Sequence, residues 1–291
     1  MKEIGALLRL VDDPDPEVFD TVASRLLGYG REIIPSLEQL WELTVDESVQ
    51  ERIETLIHRV HFNDLQKGFV DWSRGRQPDL LAGAILVARY QFPGLDEQDI
   101  HNRFEQMRRN LWLELNNYMT PMEQVHVFNS ILYNFYKLQG HELTEREPKY
   151  FFINQVLESS QGNAFSIGIL YLALCDPLDI PIFAVNIPRQ FILAFIDSLH
   201  SFLNPEGDGI QHIPFFIDPV SGITYTQKDV DNYLHKINAH EREFYFTPIL
   251  ARKVIYKMLE ELALCYRYRR EDQKADEIQT LMQLISLNGG M

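Results

Sequence analysis

The stretch that decides the fold runs from Gly162 to Asp197 and reads GNAFSIGILYLALCDPLDIPIFAVNIPRQFILAFID. Residues 164–175 are almost entirely apolar, so they predict a helix that is buried on all sides. Asn163 is a favourable N-cap for this helix, and Asp176-Pro177 is expected to end it. IPIFAVNI, QFILAFI and the later IPFFI are rich in β-branched and aromatic residues, which indicates three strands. The stretch therefore predicts a central buried helix followed by a small sheet.

Helical patterns lie on both sides of this stretch. DLLAGAILVARYQ is apolar nearly all round and predicts a core helix that ends at Pro93-Gly94. Thr120-Pro121-Met122-Glu123 has the form of a capping box. The polar segment 198–212 is expected to be a hairpin loop. The fold class predicted is α+β and mostly helical, with a central buried helix against a small antiparallel sheet. Further helices are predicted over 96–116, 121–138, 226–237, 248–269 and 271–287, and a short helix or a turn over 150–158.

The two ends of the chain resemble helical repeats. Residues 1–72 predict short helices, and DPDPEVFDTVASRLLGYGREIIPSLEQLWEL resembles a HEAT-type repeat, with an Asp-Pro turn, a helix, a Gly break and a second helix. ELALCYRYRREDQKADEI has the spacing of one TPR-like pair. The composition break at WSRGRQP suggests a boundary. We expect a HEAT-like segment over 1–72, a core over 73–240 and a TPR-like pair over 241–291.

Composition and charge narrow the classes of partner. The chain carries 27 basic and 42 acidic residues, for a formal net charge of −15. Such a charge disfavours nucleic acid and anionic membranes, which both need a basic surface. The two cysteines indicate a reducing compartment, and no segment predicts a leader or a membrane span. We therefore expect a cytoplasmic protein that binds other proteins and needs no cofactor or metal. The oligomeric state stays open.

The core resembles the SirB-type branch of the transglutaminase-like superfamily. That branch has an N-x-V-L phrase, a glycine and serine before an LYL helix, a proline turn, and a V-x-[LF]-P-G-H-F strand. The resemblance covers roughly residues 73–287, and the matching positions are Asn154, Val156, Leu157, Gly162, Ser166, Leu170-Tyr171-Leu172, Pro181, Val185, Pro188, Phe191 and Ile217-Asp218-Pro219.

The resemblance implies where catalytic residues of the superfamily would lie. A cysteine nucleophile at the start of the central helix corresponds to Ala164, and the histidine of the next strand corresponds to Gln190. The aspartate position is filled by Asp218. An alanine methyl cannot attack a carbonyl, and a glutamine amide does not exchange protons near neutral pH. We expect Ala164, Gln190 and Asp218 to be a vestigial triad without thiol chemistry.

Several residues offer substitutes for the missing groups. Cys175 or Ser166 is the candidate for an unorthodox nucleophile, although Cys175 lies at the wrong end of the helix for a stabilised thiolate. His58 and His61 have a spacing that metals use, but no third ligand follows them. His200 and His212 flank the 198–212 loop and are the remaining alternatives for the missing histidine, by a swing of the loop toward Asp218.

The same resemblance suggests a cleft even without a reaction. Asn163, Ser166, Arg189, Gln190 and Asp218 would line it, and Gln190 would hydrogen-bond Asp218 as a histidine would. The function expected is a catalytically inactive interaction or regulatory module. The alternatives are a hydrolase or transferase with an unorthodox nucleophile, and a binder of small ligands in the vestigial cleft.

Overall fold

The computed structural model describes residues 2–196, 213–239 and 245–289. The chain forms two compact units, Met1–Asp71 and Trp72–Met291. The predicted loop over 198–212, including His200 and His212, lies outside the described residues. The three-part division of the chain stays a prediction.

The first unit is made of helices around an apolar core. Asp15 caps the second helix by accepting a hydrogen bond from Glu17 N, and Pro16 occupies its first position. The expectation of short helices is wrong for the last of them, because α4 continues for 28 residues without a break. The helices are α1 (Lys2–Leu8), α2 (Pro16–Gly28), α3 (Ile34–Leu43) and α4 (Glu47–Arg74), and Leu26, Ile33, Leu37, Ile53 and Leu56 are fully buried between them.

The second unit contains eight further described helices. The capping box at Thr120 is confirmed, but the predicted helix 121–138 ends early, as Ser130–Phe135 forms a wider π-helical turn. The helices are α5 (Leu80–Gln91), α6 (Glu97–Glu114), α7 (Pro121–Asn129), α8 (Ile153–Ser159), α9 (Ala164–Cys175), α10 (Gln227–Lys236), α11 (Ala251–Tyr268) and α12 (Asp272–Gly289). No helix among the described residues is long and apolar enough to cross a membrane.

Two small sheets accompany these helices. A parallel pair joins β1 (Gln139–His141) to β2 (Gln161–Asn163), and neither strand was predicted. An antiparallel sheet has the order β3-β4-β5-β6. Its first three strands are the predicted ones, and β6 is an addition. The strands are β3 (Ile182–Val185), β4 (Ile192–Phe195), β5 (Phe216–Ile217) and β6 (Thr224–Tyr225).

Helix α9 is the centre of the second unit. Ten of its twelve residues are buried. It contacts α5, α8, β3 and β4, which explains why its sequence is apolar on every side. The predicted bounds of this helix are confirmed to the residue. The mostly helical architecture with small sheets is likewise confirmed.

The last two helices pack on the core through polar as well as apolar contacts. The hydroxyl of Tyr90 in α5 donates to Glu277 Oε2 in α12 at 2.8 Å. In the reverse direction, the hydroxyl of Tyr266 in α11 donates to Gln91 Oε1 at 3.1 Å. Burial raises the pKa of both tyrosines, so these hydroxyls remain protonated donors. The contacts hold α11 and α12 against α5.

Candidate functional site

The N-terminus of α9 is closed by a reciprocal cap. Asn163 Oδ1 accepts hydrogen bonds from Phe165 N at 3.0 Å and Ser166 N at 3.1 Å. Ser166 Oγ in turn accepts from Asn163 N at 3.0 Å and donates to Tyr150 O at 2.6 Å. Both side chains are almost fully buried. The prediction that Asn163 caps the helix is confirmed, and Ser166 is held in the same cap.

The next residue after each predicted triad position packs against the same part of α9. Phe165, which follows Ala164, stacks on Phe191 with ring centroids 4.5 Å apart. A Cβ at Gly168 would lie 2.6 Å from the Phe191 ring and 3.2 Å from Pro219 Cβ. Phe191 follows Gln190 and Pro219 follows Asp218, so the residues next to these two positions both lie against Gly168 in the second turn of α9.

Asp218 organises a turn. Its Oδ1 accepts from Val220 N at 2.8 Å and its Oδ2 accepts from Ser221 Oγ at 2.7 Å. Two side chains fasten the same turn from the α7 side, because Tyr133 donates to Pro219 O at 2.8 Å and Asn129 donates to Gly222 O at 2.6 Å. Both oxygens of the Asp218 carboxylate are therefore engaged within its own turn.

Gln190 belongs to a different turn from Asp218. It is exposed in the turn before β4, where Arg189 is also exposed and adopts a left-handed φ of 61°. No hydrogen bond joins the Gln190 side chain to Asp218 in the part of the chain that the structure describes. The expected cross-strand bond is thus missing. The five predicted cleft residues form a buried cap and two surface turns.

Comparison with known proteins identifies the core. The sequence profile of the Transglutaminase-like superfamily matches residues 98–260, more than half of the chain. The chain belongs to the transglutaminase-like superfamily. The match begins in α6 and ends in α11, so it contains α9 and the whole antiparallel sheet.

Relatives with curated sequences are distant. UPF0162 protein YchA of Escherichia coli (strain K12) is 26% identical over 130 residues, which are 44% of this chain and 47% of that protein. A UPF0162 protein of Xylella fastidiosa (strain Temecula1 / ATCC 700964) is 25% identical over 144 residues, 49% of this chain and 46% of that protein. The chain spans about half the length of the curated relatives it matches. No solved structure matches it.

The substitute nucleophiles are not free to react. Cys175 is the last residue of α9 and is fully buried, and burial followed by the charge of Asp176 raises the pKa of its thiol well above the usual range. Thiolate is the reactive form of cysteine, so burial and the raised pKa both disfavour reaction of this thiol in the folded protein. Ser166 Oγ is enclosed by the cap. The described start of α9 therefore offers no accessible thiol or hydroxyl.

The histidine pair of α4 has ordinary surroundings. His58 stacks on Phe62 with ring centroids 6.3 Å apart. Burial is the largest cause that lowers the pKa of His61, followed by the charge of Arg31. Within the described ranges, no group of three or more His, Cys, Asp or Glu residues has the arrangement of a metal site.

One polar pair beside α9 was not predicted. His141, at the end of β1, lies opposite Asn163 in the parallel pair. Its Nδ1 is 3.0 Å from Glu145 Oε2, and its ring stacks on Tyr150 with centroids 3.8 Å apart. QGH and QGN lack the residues that usually mark strands, so their pairing gave no periodic signal. The only signal in the sequence for this pair was that His141 and Glu145 are four residues apart.

Proposed function

We propose that this chain is a non-catalytic transglutaminase-like protein of the SirB-type branch that acts by binding other proteins. HEAT-like helices at one end and a TPR-like pair at the other would supply the partner surfaces. The observation that carries the proposal is the use of both Asp218 carboxylate oxygens in a local turn. A catalytic aspartate orients a histidine, whereas the side-chain hydrogen bonds of Asp218 within the described residues all come from its own turn.

The two other positions support the same conclusion. Ala164 has no nucleophile, and Gln190 is exposed without a hydrogen bond to the turn that contains Asp218. In a well-studied triad, loss of the nucleophile or of the base lowers turnover by about a million-fold. The alternative proposal of an unorthodox nucleophile is weakened because Ser166 and Cys175 are both enclosed.

Exposed apolar side chains support a role in binding. In the first unit, Leu43 and Val45 are 74% and 94% exposed at the end of α3 and just beyond it. In the second unit, Leu264 and Tyr268 are exposed on α11. Exposed apolar side chains mark protein contacts where they form a contiguous patch, so these two pairs are the positions at which we propose to test binding. A cavity of about 550 Å³ is lined by Tyr256, Gln279, Met282, Gln283, Ser286 and Leu287 of α11 and α12.

Two measurements test the proposal together. A panel of fluorogenic peptide, amide and ester substrates should give no turnover above buffer. Turnover that disappears in Asp218→Ala would contradict the absence of catalysis. For binding, the whole chain is used as bait beside a Leu43→Ser/Val45→Ser variant and a Leu264→Ser/Tyr268→Ser variant. We expect at least one variant to lose a partner that the wild type retains, while all three unfold at similar temperatures.

A further inference from the structure

The loop between α3 and α4 presents apolar side chains on a fixed backbone. Leu43 and Val45 are largely exposed on it. Thr44, between them, is held from two sides, because its hydroxyl donates to Leu40 O at 2.7 Å and its carbonyl accepts from Gln50 Nε2 of α4 at 2.9 Å. The loop is thus ordered before any partner binds, so association would not lose affinity to ordering it.

A row of carboxylates runs along α4 beside this loop. Glu47, Glu51 and Glu54 are exposed and lie four and three residues apart, so they share one face of the helix. The indole N–H of Trp41 donates to Glu54 Oε1 at 3.0 Å, which joins the loop to that face. None of the three carboxylates forms an ion pair with a described residue. Like charges at this spacing repel one another, so the row is suited to a cationic partner.

The cation within this stretch is engaged elsewhere. Arg52 is the only basic residue between Glu42 and Glu54. Its Nη1 donates to Asp13 O at 2.7 Å, and its guanidinium lies over the Phe19 ring, 5.3 Å from the centroid. The first unit as a whole carries 15 acidic and 7 basic residues, against 27 and 20 in the rest of the chain. More than half of the net negative charge is therefore concentrated in the smaller unit.

We propose that a cationic amphipathic segment of a partner protein docks on this surface, which we call the acidic ridge. Its apolar side chains would cover Leu43 and Val45, and its lysines or arginines would pair with the glutamates of α4. The inference rests on the proposed function, because it names the class of partner that the first unit would bind. The acidic ridge consists of Trp41, Leu43, Val45, Glu47, Glu51 and Glu54.

The arrangement favours this occupant over a metal ion or a second copy of the chain. In the part of the chain that the structure describes, no group of three or more His, Cys, Asp or Glu residues could hold a metal ion. Cationic side chains three and four residues apart on a partner helix have the same spacing as the row of glutamates. A symmetric pairing of two copies would instead place one row of carboxylates against another, which is unfavourable.

Three synthetic peptides test the chemistry of the occupant. One is an amphipathic peptide of leucine and lysine, the second has glutamate in place of lysine, and the third has serine in place of leucine. Each carries a fluorescent label and is titrated with the full chain, and fluorescence anisotropy measures binding. We expect saturable binding of the leucine–lysine peptide, binding weaker by about tenfold or more for the serine peptide, and none for the glutamate peptide. No saturable binding of the leucine–lysine peptide, or equal binding of the serine peptide, would overturn the proposal.

Paired variants distinguish the acidic ridge from the general negative charge. Glu47→Gln/Glu51→Gln removes two carboxylates of the row, and Glu17→Gln/Asp20→Asn removes the same charge from exposed positions on α2. We expect the first pair to weaken binding of the leucine–lysine peptide about tenfold, and the second pair to leave it within about twofold of the wild type. Thermal unfolding at the wild-type temperature shows that each variant is folded. Equal weakening by the two pairs would contradict a local site.

The apolar side chains of the ridge have their own variants. Leu43→Ser/Val45→Ser should weaken binding of the leucine–lysine peptide about tenfold, whereas Leu264→Ser/Tyr268→Ser in the second unit should leave it unchanged. A wild-type dimer in sedimentation that Leu43→Ser/Val45→Ser dissociates would identify a second copy as the occupant and overturn the proposal. Loss of a cellular partner in Leu43→Ser/Val45→Ser without weaker binding of the leucine–lysine peptide would support the proposed function and overturn only the class of partner assigned to the ridge.

Discussion

Two polar pairs near α9 differ in almost every respect. Gln190 and Asp218 stand at the positions that the superfamily resemblance assigns to a histidine and an aspartate, but one is exposed and the other serves its own turn. His141 and Glu145 stand at positions that the resemblance does not assign, and they are in direct contact at 3.0 Å. A catalytic-type pairing is thus absent where the sequence pattern points and present on a neighbouring strand.

The difference shows that the packing around Gln190 and Asp218 is present without a hydrogen bond between their side chains. Phe191 and Pro219, beside the first pair, still pack on α9 at Gly168. Gly140, beside His141, packs on Val220, two residues after Asp218. The turn, β1 and the start of α9 therefore form one packed region. Variants at these contacts test whether the two pairs contribute differently to the stability of the fold.

The largest effect is expected at Gly140, which joins the two regions. A methyl group there would overlap the carbonyl oxygen and the Cγ1 of Val220. The backbone of Val220 cannot move away without disturbing the turn after Asp218. Gly140→Ala should therefore lower the free energy of unfolding by about 3 kcal/mol or more. Urea unfolding measures this. Gly94→Ala, where a Cβ meets nothing within 4 Å, is the matched control. Equal stability of the two variants would show that β1 does not rest on this turn.

The second effect concerns the role of Asp218. Asp218→Ala removes two hydrogen bonds of the turn, so we expect a loss of about 1–3 kcal/mol in the free energy of unfolding. A carboxylate retained for chemistry alone would behave in the opposite way, with little loss of stability. Asp218→Asn keeps one acceptor oxygen and should fall between the wild type and Asp218→Ala. If Asp218→Ala left the free energy of unfolding unchanged, Asp218 would have no structural role in its turn, and the contrast with the His141–Glu145 pair would fail.

The sequence predicted some of these features and not others, for physical reasons. The apolar run, Asn163 and Asp176-Pro177 fix α9 locally, so its bounds were predictable. Strands β3 and β4 are rich in β-branched and aromatic residues, which predict strands from the sequence. Strands β1 and β2 are three residues each and contain glycine, and they are formed by a tertiary contact, their parallel pairing with each other. The pairing of His141 with Asn163 depends on that contact and was therefore beyond sequence patterns.

A third effect appears at alkaline pH and tests the burial of the two thiols, Cys265 in α11 and Cys175 in α9. Burial is the main cause that raises the pKa of Cys265 to about 11, whereas a thiol in the unfolded chain ionises near about 8.5. Above about pH 8.5 the unfolded state loses its proton first, so stability is fully present below that pH and falls until about pH 11. Burial shifts the pKa of Cys175 in the same direction. Cys265→Ala should flatten part of this decline in urea unfolding.

Labelling with a thiol reagent measures the accessibility of the two cysteines directly. Neither Cys175 nor Cys265 should react with a thiol reagent in the native protein at pH 8, and both should react in urea. An added Ala164→Cys places a thiol at the helix start, where the N-terminus favours the thiolate, and should label in the native state. Rapid native labelling of Cys175 in the wild type would return that residue to consideration as a nucleophile.

The smallest effect is expected at Gln190. Its side chain is exposed and makes no hydrogen bond with described residues, so Gln190→Ala should change the free energy of unfolding by no more than about 0.5 kcal/mol. His141→Ala provides the contrast, because it removes the stacking on Tyr150 and the hydrogen bond between the imidazole and Glu145. If Gln190→Ala cost as much as His141→Ala, the former histidine position would still hold the fold together, and the chemical distinction between the two pairs would fail.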